Sequence, residues 1–273
     1  MRSRCYSILI LVILILGCDN TDSGPEAEGV VVEAFLFAGE PVDDIQLTQV
    51  LSFDSESTEP VYINDALVTL YRDDEMFGLI PAEGDSGFYH YPGDDLEIEI
   101  GETYSLEIEY LGEIVSAETT VPAPPAGVAS SEEVLEIAPI NQISDIGNIR
   151  EIPQVEITWE NPDADYYYVL VENIEENPSS INNSGFDFGG RANFFEVSEP
   201  VQEDFHIIQP NVLPQYGTYR VQVFRVNLEY ADLFETFEQD SRSLSEPLSN
   251  VNNGIGIFTA FSSDQLTFEV VRP

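Results

Sequence analysis

Few side chains in this chain are of the types that commonly perform catalysis. The 273 residues include two histidines and two cysteines beside 51 acidic residues. His90 stands among aromatic residues in a predicted strand, and we expect His206, close to Asp204, to lie in a loop. No H-E-x-x-H, G-x-S-x-G or glycine-rich phosphate motif is present in the sequence. A carboxylate pair carries little information among so many acids, so we predict a protein that is not an enzyme.

Cys18 is the cysteine with an identifiable chemistry. It follows a positive start with Arg2 and Arg4, an apolar run from Cys5 to Leu16, and Gly17. That run is shorter than the roughly 20 residues of a membrane-spanning helix and matches the apolar core of a signal peptide. The string Ile-Leu-Gly-Cys resembles the lipobox of bacterial lipoproteins, which implies cleavage after residue 17 and lipid on Cys18. The alternative is an ordinary secretory signal with an incidental cysteine.

Removal of residues 1–17 would leave Cys18 as the sole cysteine, which excludes an internal disulfide in the mature chain. Residues 18–29 are polar and small, so we expect a flexible tether between a lipid anchor and the fold. The predicted location is therefore the outer membrane, lipid-anchored, at the cell surface or the periplasmic face.

The formal net charge is −42, and all nine basic residues are arginine. Nucleic acid is excluded as a partner, and anionic lipid surfaces are poor partners, because both repel such a chain. Three interpretations of the acidity stay open: adaptation to high salt, a calcium-binding surface, or a site for a cationic ligand or partner. The acids are spread along the whole chain, which favours the first.

Two sets of residues are candidate sites. Calcium takes six to eight oxygen ligands, and Asp163 and Asp165 lie in a turn where they could supply some, although turn chemistry also explains aspartate there. No other cofactor is expected. Aromatic residues on loops often contact ligands or partners. The candidates, in a segment over 173–210 that we interpret as an insertion, are Phe186, Phe188, Phe194 and Phe195. The alternative is that they close the core of their own domain.

The elements that must position these residues are predicted to be strands. Apolar and polar residues alternate through much of residues 30–122, most clearly in a meander from Leu96 to Val121, where carboxylates occupy the other face. We predict a transthyretin-like or immunoglobulin-like β-sandwich over 30–122 and a connector over 123–153, with a short strand or helix at 132–137.

Residues 154–273 resemble a fibronectin type III domain. An early strand carries the single tryptophan, Trp159, and a later string Leu213-Pro…Thr218-Tyr-Arg-Val-Gln-Val223 places Tyr219 where such domains have a corner tyrosine. Aromatic residues at helical spacing over 228–239, including Tyr230, predict one short helix packed on the sandwich. The predicted fold class is all-β, with two immunoglobulin-like sandwiches in tandem.

The whole mature chain also resembles a family of Bacteroidota outer-membrane lipoproteins, the domain-of-unknown-function family 4249. The strings that carry the resemblance are the lipobox at Cys18, residues 31–40, 63–68, 101–104 and 120–122, and the tail over 249–258. The resemblance implies a lipoprotein often encoded beside a TonB-dependent transporter, and it brings no catalytic residues. The expected function is an accessory or substrate-capture partner of such a transporter. The alternative is a free-standing surface adhesin or a carbohydrate- or peptide-binding module.

Overall fold

A computed structural model describes residues 29–51, 59–142, 152–182, 193–238 and 249–273. Within these ranges the chain is mainly β-strand, with one α-helix and one short 3-10 turn. The strands of the first part of the chain are β1 (Val30–Phe37), β2 (Asp44–Gln49), β3 (Leu67–Arg72), β4 (Glu75–Pro81), β5 (Phe88–His90), β6 (Thr103–Tyr110) and β7 (Glu113–Thr120). The later elements are β8 (Ala126–Ser130), β9 (Val134–Glu136), β10 (Val155–Glu160), β11 (Tyr166–Asn173), β12 (Phe195–Val197), β13 (Phe205–Ile208), the 3-10 turn (Pro210–Val212), β14 (Gly217–Val226), helix α1 (Leu228–Glu238) and β15 (Ile255–Val271).

Strands β1 to β7 and the first part of β15 form a module with one core, called the first module below. Its strands follow the order β15-β1-β2-β5-β4-β3-β6-β7. The sheet closes on itself because Ser116 of β7 exchanges two backbone hydrogen bonds with Asn252, just ahead of β15, at 3.1 and 2.7 Å. Alternate residues of β1 and β6 point into this core, as the period-two pattern predicts.

The second module packs two sheets against each other. One has the order β13-β10-β8, and the other has β12-β11-β14-β15 with β9 added beside β15. Trp159 of β10 is buried in the core between them. The hydroxyl of Tyr219 donates a 2.8 Å hydrogen bond to the carbonyl of Gln215, which is the expected tyrosine corner. The prediction of an all-β, fibronectin type III-like sandwich is therefore confirmed.

Strand β15 runs through both modules. Residues 255–261 pair in parallel with β1, and residues 261–270 pair with β14 in the antiparallel sense. Phe258 and Ala260 lie in the core of the first module, whereas Phe268 and Val270 lie in that of the second. At about 3.4 Å per residue the strand is roughly 55 Å long. The sequence-based division places the whole of β15 in the second domain. Pairing with β1 shows instead that residues 255–261 belong to the first module.

Three local predictions differ from the structure. The connector over 123–153 supplies β8 and β9 to the second module, and the short strand or helix predicted at 132–137 is the strand β9. Residues 96–100 were expected to form a strand, yet they make no ladder: Ile98 is buried, and its carbonyl accepts a bond from the amide of Gly39 at 2.9 Å. His206 lies on β13 and not in a loop, because β13 completes the three-stranded sheet inside the supposed insertion.

An aromatic cluster lies on the outer face of the shared sheet, where the modules meet. Its buried members are Phe224, Val226 and Phe261, and helix α1 covers them. Tyr230 of α1 contacts Phe261 edge-on with ring centroids 4.9 Å apart, so the predicted packing of the helix on the sandwich is confirmed at this residue. In the described part of the chain, no helix is long and apolar enough to cross a membrane.

Candidate functional site

The structure describes two of the four phenylalanines proposed as a contact site, Phe194 and Phe195, and places them in different surroundings. Phe186 and Phe188, like Cys18, lie outside the described residues. Phe194 packs on the ring of Tyr219 with centroids 5.9 Å apart and joins the second core, so the alternative interpretation holds for it. Phe195, the next residue, points to the other side of β12 and is 65% exposed. Only Phe195 is therefore a surface candidate among the described members of this set.

Strand β12 is the outermost strand of its sheet and pairs with β11 alone among the described residues. The amide of Asn173 donates to the carbonyl of Phe194, and the amide of Ser198 donates to that of Val169, both at 2.9 Å. Hydrogen-bonded and non-bonded residues alternate in an antiparallel pair. It follows that the amides and carbonyls of Phe195 and Val197 point away from β11.

Strand β13 repeats this arrangement at the edge of the opposite sheet. It pairs with β10, and the amide of Trp159 donates to the carbonyl of Asp204 at 3.0 Å. By the same alternation, the backbone groups of Phe205 and Ile207 point away from β10. We call β12 and β13 together the open edge. Its outward residues are Phe195, Val197, Phe205 and Ile207, each exposed by 39% or more.

The open edge is a chemically unusual surface for a protein that stays alone. Exposed edge strands are templates for pairing with another chain, and proteins commonly cover them or place charges along them. Here the outward positions of both strands are apolar. The strings Phe195-Glu-Val197 and Phe205-His-Ile207 alternate as strands do. Because we interpreted the segment as an insertion, the sequence analysis did not identify Val197, Phe205 and Ile207 as surface candidates.

Among the described residues, the charged side chains that lie on or between β12 and β13 are acidic. Glu196 lies near His206: burial lowers the pKa of this histidine, and the carboxylate partly opposes that shift. Glu199, Glu203 and Asp204 are exposed in the segment that connects the two strands.

Each described arginine already has a partner, so none of them supplies an unpaired positive charge to this surface. Arg72 pairs with Glu75 and Glu99, and Arg220 and Arg225 pair with Glu172 and Asp165. Arg272 lies over the ring of Tyr216, 4.9 Å from its centroid.

The proposed calcium ligands, Asp163 and Asp165, are not joined by further ligands. The carboxylate of Asp165 pairs with Arg225, and its amide donates to the side chain of Asn161 at 2.8 Å. Asp163 is exposed. Across the described ranges, no three acidic, histidine or cysteine side chains are grouped so that they could hold a metal ion. This turn is explained by the Asn161 side chain and the ion pair.

A cavity of about 380 Å³ lies at the junction of the modules. Its apolar lining includes Ile98, Ile100 and Pro124, and its polar lining includes Glu97 and Glu99. Because Glu99 is paired with Arg72, Glu97 is the carboxylate of this lining that the cationic group of a small, partly apolar ligand could contact.

The sequence model of one protein family, described as "Domain of unknown function (DUF4249)", matches residues 19–267. The chain belongs to this family. No curated protein matches this DUF4249 chain. Among solved structures, that of titin domains A168-A170 is similar at 11% identity, over 89% of this chain and 67% of the titin chain, with a TM-score of 0.20.

Proposed function

We propose that this DUF4249 protein is a lipid-anchored accessory protein of the outer membrane that contacts a membrane partner, such as a TonB-dependent transporter, through the open edge. It has no catalytic role in this proposal. The observation that supports the proposal best is the pairing-competent, apolar open edge in a body whose two modules share one strand.

The position of the open edge suits such a role. Val31 lies opposite Ile255 at the start of β15, and β1 runs from there towards the second module. Across the sheet, Phe195 is level with Thr267 of β15, because Phe195 is opposite Glu172 of β11, Glu172 is opposite Arg220 of β14, and Arg220 is opposite Thr267. Twelve residues of strand separate Thr267 from Ile255, or about 40 Å. The open edge would therefore stand beyond the first module, away from the membrane attachment, where it could reach a neighbouring protein.

Co-purification from native membranes tests the proposal. The wild-type protein should bring a transporter with it, and Phe195→Asp should lose the transporter while keeping its own folded state. Met76→Asp is the matched control, because Met76 is 70% exposed on the first module and lies far along the chain from the open edge. Absence of any membrane partner from the wild-type preparation would refute the accessory function.

The anchor has a separate test. Cys18→Ser should abolish labelling with palmitate and release the protein from the membrane fraction, because the acyl chains would be lost. A mutant that still labels and stays with the membrane would show that Cys18 is not the lipidated residue.

The junction cavity favours a second candidate function, that of a free-standing module that binds a small ligand or peptide. In that case the purified protein would bind its ligand without any membrane partner, and Glu97→Gln would weaken binding while Phe195→Asp would not. Screening cationic peptides and glycosides against the two variants distinguishes the candidates.

A further inference from the structure

We propose that β12 is a docking strand, to which an extended partner segment with alternating apolar and basic residues adds as a further strand of the sheet. The biological setting of this inference rests on the proposed accessory function. It goes beyond that function because it states how the partner binds and what chemistry its segment has.

The backbone of β12 supplies the first argument. The outward amides and carbonyls of Phe195 and Val197 are two donors and two acceptors, separated by one residue. A guest strand requires this spacing, and main-chain hydrogen bonds of this kind give strand-addition complexes much of their affinity. Within the described ranges, β12 has no pairing partner on this side.

The side chains of β12 supply the second argument. Phe195 and Val197 lie on the outer face of the sheet, where Val197 is opposite Leu170 and Phe195 is opposite Glu172. Alternate apolar side chains of a guest strand would lie on the same face, next to Phe195 and Val197. Cross-strand apolar pairs of this kind contribute roughly 0.2–1 kcal/mol each. Specificity therefore follows from a period-two pattern in the guest.

Charge decides what the remaining guest residues are. Glu196 points to the opposite face of β12, and Glu199 and Glu203 follow it along the chain. The nearby Arg220 is already paired with Glu172. Opposite charges across strands are favourable and like charges are not, so lysine or arginine fits the alternate guest positions and acids are rejected.

A synthetic peptide tests the mode of binding directly. The probe is a fluorescein-labelled heptapeptide that alternates valine with lysine, titrated with the full-length protein in detergent and followed by anisotropy. We expect saturable binding, no binding of the same peptide with glutamate in place of lysine, and loss of binding when alternate peptide amides are N-methylated. Equal binding of the N-methylated peptide would overturn the proposal, because the contact would then not involve the backbone.

Variants of Val197 separate backbone from side chain. Its amide is not part of the ladder with β11, so Val197→Pro removes one free donor and leaves that ladder intact. We expect Val197→Pro to weaken peptide binding roughly tenfold, and the control Val197→Ala to weaken it less, about twofold to threefold. The fluorescence of Trp159 in the same module reports whether each variant is folded. Wild-type affinity in a folded Val197→Pro variant would refute strand addition.

The two proposals fail separately. If the transporter co-purifies but the lysine peptide does not bind, strand addition is wrong and the accessory function stands. If the peptide binds through Val197 but no membrane partner is found, β12 is a docking strand and the accessory function is wrong.

Discussion

Truncation of Phe261 to alanine should destabilise both modules together. Phe261 lies on β15 at the point where the strand passes from one module to the other, and it is 2% exposed. Its ring contacts those of Phe35, Phe37, Tyr168 and Tyr230, at centroid distances of 5.9, 5.0, 6.0 and 4.9 Å. These partners come from β1, β11 and α1, so the substitution opens a cavity between elements of both modules.

The expected loss is about 4–5 kcal/mol. Buried phenylalanine-to-alanine changes cost about 3–5 kcal/mol, and four aromatic partners place this site at the upper end of that range. Domain stabilities are about 5–15 kcal/mol, so the loss is a large part of the total. At roughly 2–4 °C per kcal/mol for a chain of this size, the melting temperature should fall by about 10–15 °C.

Urea unfolding followed by two probes measures the effect. The single tryptophan, Trp159, reports the second module, and far-ultraviolet circular dichroism reports all strands. Both transitions should move together to lower urea, because β15 belongs to both cores. Phe195→Ala, at an exposed position, should change stability by less than about 0.5 kcal/mol. A fluorescence transition that stays in place while the dichroism transition splits would show that the modules unfold independently.

Four further changes test other parts of the fold. Tyr219→Phe removes the corner hydrogen bond and should cost about 1–2 kcal/mol in a thermal melt. Gly256→Ala should cost about 3 kcal/mol or more, the upper end of the cost of core overpacking, or prevent stable folding. The reason is that Gly256 has a φ of +120° and a Cβ would lie 2.0 Å from the carbonyl oxygen of Val32. Gly112→Ala, with a φ of +86° and open space, should cost only about 1–2 kcal/mol in the same assay. Burial is the main cause that raises the pKa of the Asp44 carboxyl, and the negative charges of Asp43 and Glu33 raise it further. The folded protein therefore binds the Asp44 proton more tightly than the unfolded chain does. The contribution of Asp44 to the free energy of unfolding favours the folded state at acid pH and is lost as pH rises through the raised pKa. Asp44→Asn should melt higher than wild type at pH 7 and lose that advantage near pH 3.

The sequence was sufficient where local pattern and tertiary structure agree. The alternation from Thr103 to Thr120 predicts β6 and β7 because one face of that hairpin is buried. Trp159 and the string around Tyr219 predict the second module because their spacing reflects contacts made within it. Over 96–100 the same alternation gives the right buried residue, Ile98, but the wrong element. Alternation reports burial and does not show whether a neighbouring strand supplies the ladder.

Long-range pairing could not be predicted from the pattern. Residues 257–262 are all buried, so the alternation of β15 is interrupted where the two modules meet, and the pattern does not show which strands pair with it there. The partner of its first part, β1, lies more than 200 residues earlier in the chain. For the same reason the sequence does not predict β12 and β13 within the supposed insertion. Each is short, and only its pairing with β11 or β10 shows that it is a strand.

The shared strand also bears on the proposed site. Two modules joined only by a linker would let the open edge take many orientations relative to β1 and to the proposed anchor that precedes it. Here Phe37 of β1 and Val226 of β14 are both paired with Phe261, on opposite sides of β15. The register of β1 therefore fixes the direction of β14, and through β11 that of β12. If the proposed function is correct, an open edge held in this way would meet a neighbouring membrane protein at a defined height and angle, with less orientational entropy lost on binding. A flexible insertion of several glycines within β15 near Ser262 should thus reduce partner recovery from membranes while leaving binding of the lysine peptide unchanged. Loss of both would mean that β12 itself depends on the continuity of β15.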